Sequence, residues 1–447
     1  MRDRKTINFT QGSIAKAILQ FAVPIIAGEL LQNLYNSVDS LVVGNFVGST
    51  ALAATGVCST LTQLLVGFFT GMSVGSTVVV SKAFGKGDET ELRQNIRYTF
   101  TFSSCLGIVV TVLAILFSRF LLRVSGANEE VFAEALLYFQ IYLIGLPFTV
   151  AYNSGAGILR AMGDSRSPFL VLTATSGLNV IFDLLFTGLM HMGIAGVAAA
   201  TVLSQTVSAV FVYCIISSRI KCSCIDLRGT FLHGREVIGE TISIGFWAGM
   251  QSAMICFSNL FVWRYINRFE TLQVAGVSIG NRVDKFVNLP LKAYGIAMTT
   301  YIGQNRGAKN EERIRKGIVH SLLLALETWL LFGTAMYAGA GLVARCFNRD
   351  PLVLETAVHF LRTLIPFYCL LAVREILLGI LRGFGKSTGP MVMTLIGMIG
   401  IRQIYLYFTM RPGTDIQYLF YVYPIGWFAA ASLLLLYTLA VRRQLKV

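Results

Sequence analysis

The sequence predicts an all-α polytopic membrane protein with twelve transmembrane helices in two six-helix lobes. Three observations support this fold class: a membrane-like composition, twelve apolar stretches of spanning length, and a second half that repeats motifs of the first. Of the 447 residues, 55% are hydrophobic and only 13% are charged, and the mean hydropathy is +0.66. Soluble domains carry about 25% charged residues, so a lipid bilayer is the expected environment.

Twelve predicted spans follow one another along the chain, six in each half. A spanning helix needs about 20 mostly apolar residues. Such stretches are centred near residues 28, 65, 108, 142, 178, 204, 250, 290, 328, 364, 397 and 429. Pro24, Pro147, Pro290 and Pro366 fall inside them. Because proline kinks a helix, these positions are either fixed bends or bending points.

An internal repeat relates the two halves. The segment Gly157–Gly163 is answered 222 residues later by Gly379–Gly385, and Pro168 by Pro390. The repeat predicts two lobes, residues 1–222 and 223–447. Each lobe has an even number of spans, so both have the same orientation in the membrane. Secondary transporters are often built from such parallel repeats, with the site at the repeat interface.

Lys and Arg are unevenly distributed between alternate loops. One side of the predicted topology carries 23 of them and the other carries 7. Positive loops stay in the cytoplasm, which predicts a multi-pass protein of the cytoplasmic membrane with both termini cytoplasmic. An anionic inner leaflet attracts such loops, so the net charge of +14 requires no nucleic-acid partner. The apolar stretch after residues 1–13 is too long for a cleavable signal.

Polar residues form a stripe along the first span. Glu29, Gln32, Asn36 and Asp39 have i, i+3, i+7, i+10 spacing and therefore share one helix face. Ionisable residues inside a membrane are costly and are functional candidates by default. The alternative is a hydrogen-bond network that only holds helices together.

A second acidic position lies in the fifth span. Asn179 and Asp183 are four residues apart on one face, and no Lys or Arg occurs between Arg166 and Arg219. A carboxylate without a counter-ion in a low-dielectric site favours the uptake of a proton or a cation. Asp39 and Asp183, with the neighbouring amides, therefore predict a site for H⁺ or Na⁺. Oxygen ligands argue against a transition metal, and no other cofactor is predicted.

The second half does not copy these acids. Asp39 corresponds to Phe261 and Asp183 to Tyr405 at the offset of 222. The charges within its own spans are different and mixed: Asp284 with Lys285, Arg374 with Glu375, and Arg402 alone. They either shape a substrate pocket or pair across helices.

Several motifs together resemble those of the multidrug and toxic compound extrusion (MATE) antiporters. The resemblance covers nearly the whole chain. It rests on the segments 36–44, 51–56, 155–163, 178–183, 303–308 and 381–383. It implies two lobes around a central cavity that opens alternately to each side of the membrane. It also implies export of organic cations or other amphipathic compounds in exchange for H⁺ or Na⁺.

The resemblance also implies roles for particular residues. The cation site would use Asp39, Asn179 and Asp183, with Tyr138, Asn153 and Thr201 as hydrogen-bonding neighbours. Candidates for the substrate cavity are Glu29, Gln32, Asn36, Asp284 and Arg402. One branch of the family uses acids in the seventh and tenth spans. This chain has no Asp or Glu from Thr241 to Phe269, which favours the first-lobe site.

We therefore expect a monomeric transporter, not an enzyme, whose partners are small molecules and membrane lipid. Two rival functions remain. A flippase for a lipid-linked precursor would want basic residues for a diphosphate, and the second half offers Lys285, Lys292, Arg374 and Arg402. An intramembrane enzyme would use Asp39 and Asp183 as acid and base, but the sequence lacks the GxGD-type context of such enzymes.

Overall fold

The computed structural model describes residues 6–411 and 413–445, and these residues fold into helices joined by short connections. The two chain ends, whose side of the membrane the sequence predicts, lie outside the described residues. In the first half the helices are α1 Ile14–Val42, α2 Ser49–Lys86, α3 Glu89–Leu116, α4 Ser118–Val124, α5 Glu129–Ala161, α6 Arg166–Asp183 and α7 Gly193–Ile220. Then follow α8 Leu227–His233, α9 Arg235–Ile266, α10 Thr271–Gly307, α11 Glu311–Arg345, α12 Pro351–Leu364, α13 Tyr368–Gly383, α14 Thr388–Leu395, α15 Arg402–Thr409, α16 Ile416–Phe420 and α17 Val422–Leu445.

Each predicted span centre falls inside one long helical segment, which confirms the all-α polytopic fold class. Ten of the described segments are both long and apolar enough to cross a membrane. The seventh and eighth predicted spans, α9 and α10, are not among the ten. They have 32 and 37 residues. At 1.5 Å per residue both exceed the ~30 Å thickness of the hydrocarbon layer. Their assignment as spans therefore rests on length.

The chain divides into two compact units. Among the described residues, unit 1 contains 6–8 and 27–249, and unit 2 contains 9–26, 250–411 and 413–445. The packing boundaries thus fall within α1 and α9. The lobes predicted at 1–222 and 223–447 follow the repeated sequence instead, and that division stays a prediction.

Three of the spans contain a π-helical turn, at Val43–Val47, Leu184–Leu189 and Ile396–Ile401. The first begins four residues after Asp39, the second begins directly after Asp183, and the third ends directly before Arg402. Such turns occur frequently at functional sites. Pro366 lies in a 3₁₀ turn, Ile365–Phe367, that separates α12 from α13. There the indole nitrogen of Trp329 donates to the Ile365 carbonyl at 2.9 Å.

Within unit 1, α2 and α9 meet through glycines. Gly71 and Gly75 are four residues apart on α2, and Gly245 and Gly249 have the same spacing on α9. A Cβ on Gly71 would lie 2.5 Å from the Ala248 carbonyl oxygen, and one on Gly245 equally close to the Met72 oxygen. Small residues at this spacing let helix backbones approach closely in a membrane. The contact therefore depends on the absence of side chains.

Within unit 2, the segment before α1 is held by the end of α10. Phe9 is fully buried, and its N–H donates to Gln304 Oε1 at 3.0 Å. Asn305 Nδ2 donates to the Phe9 carbonyl at 3.2 Å. Arg313, in the first turn of α11, donates to the same carbonyl at 2.7 Å and also to those of Gln11 and Gly12. We call residues 9–12 the N-terminal segment.

The ring of Phe9 is enclosed as well as its backbone. It packs edge-on against Phe21, with ring centroids 5.1 Å apart, and against Tyr301 at 5.5 Å. Gln304 and Asn305, two residues of the family motif at 303–308, thus anchor the N-terminal segment in unit 2.

Candidate functional site

The predicted cation-site residues of unit 1 come from four helices. Asp39 lies near the end of α1, Tyr138 on α5, Asn179 and Asp183 in the last turns of α6, and Thr201 on α7. Asp183 is fully buried and Asn179 is 2% exposed. In a membrane span, such burial of a carboxyl is expensive without a partner, so its contacts define the site.

The two carboxyl groups are hydrogen-bonding neighbours of each other. The Asn179 amide, oriented by its own hydrogen bonds, donates to Asp183 Oδ2 at 2.9 Å and accepts from the Thr201 N–H at 3.3 Å. Oδ1 of Asp39 and Oδ1 of Asp183 are both buried and have no hydrogen-bond partner among the described residues. A hydrogen bond between two carboxyl groups requires one proton between them. The two unpartnered oxygens suit a hard cation as ligand atoms.

Aromatic and amide side chains surround this pair. The Tyr35 hydroxyl lies near the Thr201 side chain, and the Tyr142 hydroxyl lies near Gln205. Tyr138 stacks on Tyr142, with ring centroids 6.2 Å apart. Tyr138 is also within electrostatic range of Asp39. The carboxyl pair therefore lies among three tyrosines, Tyr35, Tyr138 and Tyr142.

Sequence reasoning missed Tyr35, Tyr142 and Gln205. Tyr35 lies four residues before Asp39 on the same face of α1, and Gln205 lies four residues after Thr201 on α7. The helical spacing from known site residues would have found both. Tyr142 has the same relation to Tyr138.

The described contacts of the other predicted residues of unit 1 do not include the carboxyl groups of Asp39 and Asp183. Asn153 donates to the Thr149 carbonyl at 2.9 Å and accepts from Thr70 at 3.5 Å, so its described bonds do not go to the carboxyls. Glu29, Gln32 and Asn36 are exposed on α1. Their role as substrate-cavity residues stays a prediction.

Unit 2 places Asp284 and Arg402 in hydrogen-bonded surroundings. Asp284 on α10 accepts from the Tyr368 hydroxyl at 2.6 Å and from Asn288 at 2.9 Å. Arg402 is 1% exposed, donates to Asn259 Oδ1 at 3.3 Å, and lies 5.2 Å from the centre of the Tyr423 ring. These residues form a second polar region, separate in sequence and contacts from the carboxyl pair.

Comparison with known proteins finds similarity to membrane transporters. The family model described as MatE matches residues 24–185 and 248–408. YpnP of Bacillus subtilis, a probable multidrug resistance protein, is 28% identical over 398 residues, which cover 89% of both chains. MepA of Staphylococcus aureus, a multidrug export protein, is 21% identical and covers 89% of this chain and 87% of its own. A solved structure of a MATE family multidrug resistance transporter, in an outward-facing conformation, shares 23% identity with a TM-score of 0.90 and covers 100% of both chains.

Proposed function

This chain belongs to the MATE family, and from that premise we propose that it is a secondary antiporter that exports small amphipathic molecules in exchange for H⁺ or Na⁺. Family membership makes it a multi-pass membrane transporter. The exchange, the coupling ion and the substrate class are the content of the proposal.

The observation that carries the proposal is the carboxyl pair of Asp39 and Asp183. The two groups interact directly, and a hydrogen bond between two carboxyl groups requires one shared proton. Loss of that proton leaves two adjacent negative charges, which repel each other strongly in a site of low dielectric constant. Rebinding of H⁺, or binding of Na⁺ to the two unpartnered oxygens, removes the repulsion. The pair therefore has two charge states that favour different packing of α1 against α6.

Transport follows if the two charge states differ in their affinity for substrate. To shift an equilibrium from 1:99 to 99:1 requires about 5.5 kcal/mol of differential binding. One charge that crosses 100 mV supplies about 2.3 kcal/mol. The membrane potential alone therefore supplies less than a complete shift requires. The ion gradient supplies a further part, and each step of the cycle shifts only part of the protein population between states. The π-helical turns next to Asp39 and Asp183 place irregular backbone where the packing must change.

Flux into proteoliposomes tests the proposal directly. We expect ethidium to accumulate when a pH gradient or a Na⁺ gradient is imposed in the opposite direction, and the effective gradient identifies the coupling ion. Protein-free vesicles under the same gradients serve as the control. Ethidium movement that ignores both gradients would contradict antiport.

A lipid-linked precursor flippase is the second candidate, since unit 2 carries Lys285, Lys292, Arg374 and Arg402 within its helices. The same vesicles distinguish it. A fluorescent polyprenyl diphosphate placed in the outer leaflet would cross to the inner leaflet at an enhanced rate, and ethidium would not accumulate.

The predicted orientation gives a separate prediction, measured on native cysteines. Cys222 and Cys346 are both exposed, and the Lys and Arg distribution places them on opposite sides. We expect a membrane-impermeant maleimide to label Cys346 in intact cells, and Cys222 only after permeabilisation. Cys224 is the internal control, because it is buried and burial raises the pKa of its thiol to about 11. Labelling of Cys222 in intact cells, mapped by mass spectrometry, would reverse the orientation.

A further inference from the structure

Unit 2 carries more positive than negative charge inside its helices. Its basic cluster, as we define it, consists of Lys285 and Lys292 on α10, Arg374 and Arg382 on α13, and Arg402 at the start of α15. The carboxylates that lie among these five residues are Asp284 and Glu375. Charges at this depth are expensive and are normally paired, so their partners decide what the cluster does.

One carboxylate is shared by three of the cations. Glu375 forms an ion pair with Arg374, and Lys292 and Arg382 also lie within its electrostatic range. Arg382 donates its only described side-chain hydrogen bond to Gln251 Oε1, at 3.1 Å. Glu375 neutralises one of these three positive charges, so the group formed by Glu375 and the three cations keeps a net positive charge.

Arg402 has no carboxylate within ion-pair distance in the part of the chain that the structure describes. Its described contacts are the Asn259 amide oxygen and the face of Tyr423. Its Nε is buried without a partner. Its charge therefore adds to the positive field of unit 2.

Lys285 and Lys292 are the members of the cluster that a ligand can reach. Both are exposed, whereas Leu289, Pro290 and Leu291 between them are buried. They are seven residues apart, and hence on one face of α10, and both lie within electrostatic range of Cys256 on α9. The nearby carboxylate, Asp284, already accepts from Tyr368 and Asn288.

These lysines lie too deep to reach the ends of the helix. The midpoint of α10 is residue 289, so Lys285 and Lys292 are only about 6 and 4.5 Å from it along the axis. Each end of α10 is about 27 Å from the midpoint. Extension of the side chains along the helix, the usual way to keep a lysine hydrated, therefore does not bring them to either end of α10.

We propose that Lys285 and Lys292 bind an anionic group of the substrate, a carboxylate or a phosphate, in the positive field of Arg374, Arg382 and Arg402. Five cations among two carboxylates leave a net positive site, and a cleft of one sign concentrates ligands of the opposite sign. This inference rests on the proposed transport function and narrows it. Among amphipathic substrates, organic cations included, it favours those that also carry an acidic group.

Two matched dyes test the proposal. Rhodamine 110 carries a free carboxylate, and rhodamine 123 is its methyl ester with an otherwise identical ring system. Fluorescence anisotropy with the purified full chain in phosphatidylcholine nanodiscs gives the affinity for each dye. We expect wild type to bind rhodamine 110 about tenfold more tightly, which corresponds to about 1.4 kcal/mol. The Lys285→Met/Lys292→Met variant should lose this preference and keep its affinity for rhodamine 123.

The charge-conserving variant Lys285→Arg/Lys292→Arg is the matched control and should keep the preference. Equal affinity for the two dyes, tighter binding of rhodamine 123, no binding of either dye, or a preference that survives both methionines would each overturn the proposal. Because binding is measured without a gradient, failure of antiport in vesicles is a distinct result.

Nanodiscs that contain phosphatidylglycerol identify the source of the anionic group. If a lipid headgroup occupies the site, phosphatidylglycerol will weaken rhodamine 110 binding to wild type but not to the double-methionine variant. If the occupant is a soluble substrate, the affinity for rhodamine 110 will be the same in both lipid mixtures.

Discussion

Vesicles that contain the Asp183→Asn variant should accumulate no ethidium above the level of empty vesicles, under either ion gradient. Asn has nearly the shape of a protonated Asp, so Asn179 keeps an oxygen to which its amide can donate. It cannot release a proton, however, and it offers no negative charge to Na⁺. The site then carries at most the single charge of Asp39 and cannot reach the state with two adjacent negative charges. Asp39→Asn should have the same effect, because the two carboxyl groups act as a pair.

An Asp→Asn change elsewhere on the chain controls for that result. Asp88 caps the start of α3, accepting from the N–H groups of Thr90 and Glu91 at 2.8 and 3.1 Å. Asn caps helices about as well as Asp, so Asp88→Asn should transport like wild type. Dye binding should persist in Asp39→Asn and Asp183→Asn, which separates lost coupling from misfolding. Gradient-driven transport by either variant would assign the pair a purely structural role.

The second large effect is expected from Gly75→Leu. A Cβ at this position would overlap the Thr241 carbonyl oxygen of α9. The obstacle is backbone and not a mobile side chain, so the helices themselves would have to separate. Overpacking typically costs 1–3 kcal/mol, occasionally more, and we expect a loss above about 3 kcal/mol here. The measurement is the thermal unfolding midpoint in detergent, with the yield of monodisperse protein from size-exclusion chromatography.

Gly56→Leu is the control on the same helix. A Cβ on Gly56 has nothing within 4 Å, and replacement of a helical glycine with a better helix former gains up to about 1 kcal/mol. This variant should therefore match or exceed wild-type stability. Equal stability of the two leucine variants would refute close glycine packing between α2 and α9.

The fold class could be predicted from the sequence because hydropathy and the lengths of apolar stretches reflect local composition. The repeat is visible as similar segments at a constant offset of 222 residues. The polar residues of the spans alone predict a site at Asp39, Asn179 and Asp183, whereas Thr201 enters only through the family resemblance. Spacing places residues on one face of one helix, and cannot say which faces of α1, α5, α6 and α7 meet. For the same reason, Asn153 is predicted beside carboxyls to which its described hydrogen bonds do not go. Tyr142 and Gln205 could have been predicted, because each lies four residues from a predicted site residue on the same helix.

The packing units were not predictable from the repeat. The repeat places residues 9–26 in the first lobe, whereas their contacts place them in unit 2. The reason is tertiary. Only the folded chain brings the Gln304 acceptor and the Asn305 and Arg313 donors to the backbone of Phe9. The rings of Phe21 and Tyr301 enclose its side chain. The family resemblance identifies the motif at 303–308, but only the folded structure shows that Gln304 and Asn305 bind the N-terminal segment.

The docking of the N-terminal segment sets an order for biosynthesis. Phe9 is synthesised well before its hydrogen-bond partner Gln304, which lies 295 positions later in the chain. At 5–20 residues per second, the segment waits roughly 15 to 60 s before its binding site has been made. During this time an apolar side chain and unpaired backbone groups must be kept from other partners at the membrane. Unit 2 can therefore be completed only after α10 and α11 have been synthesised, by residues that were made well before them.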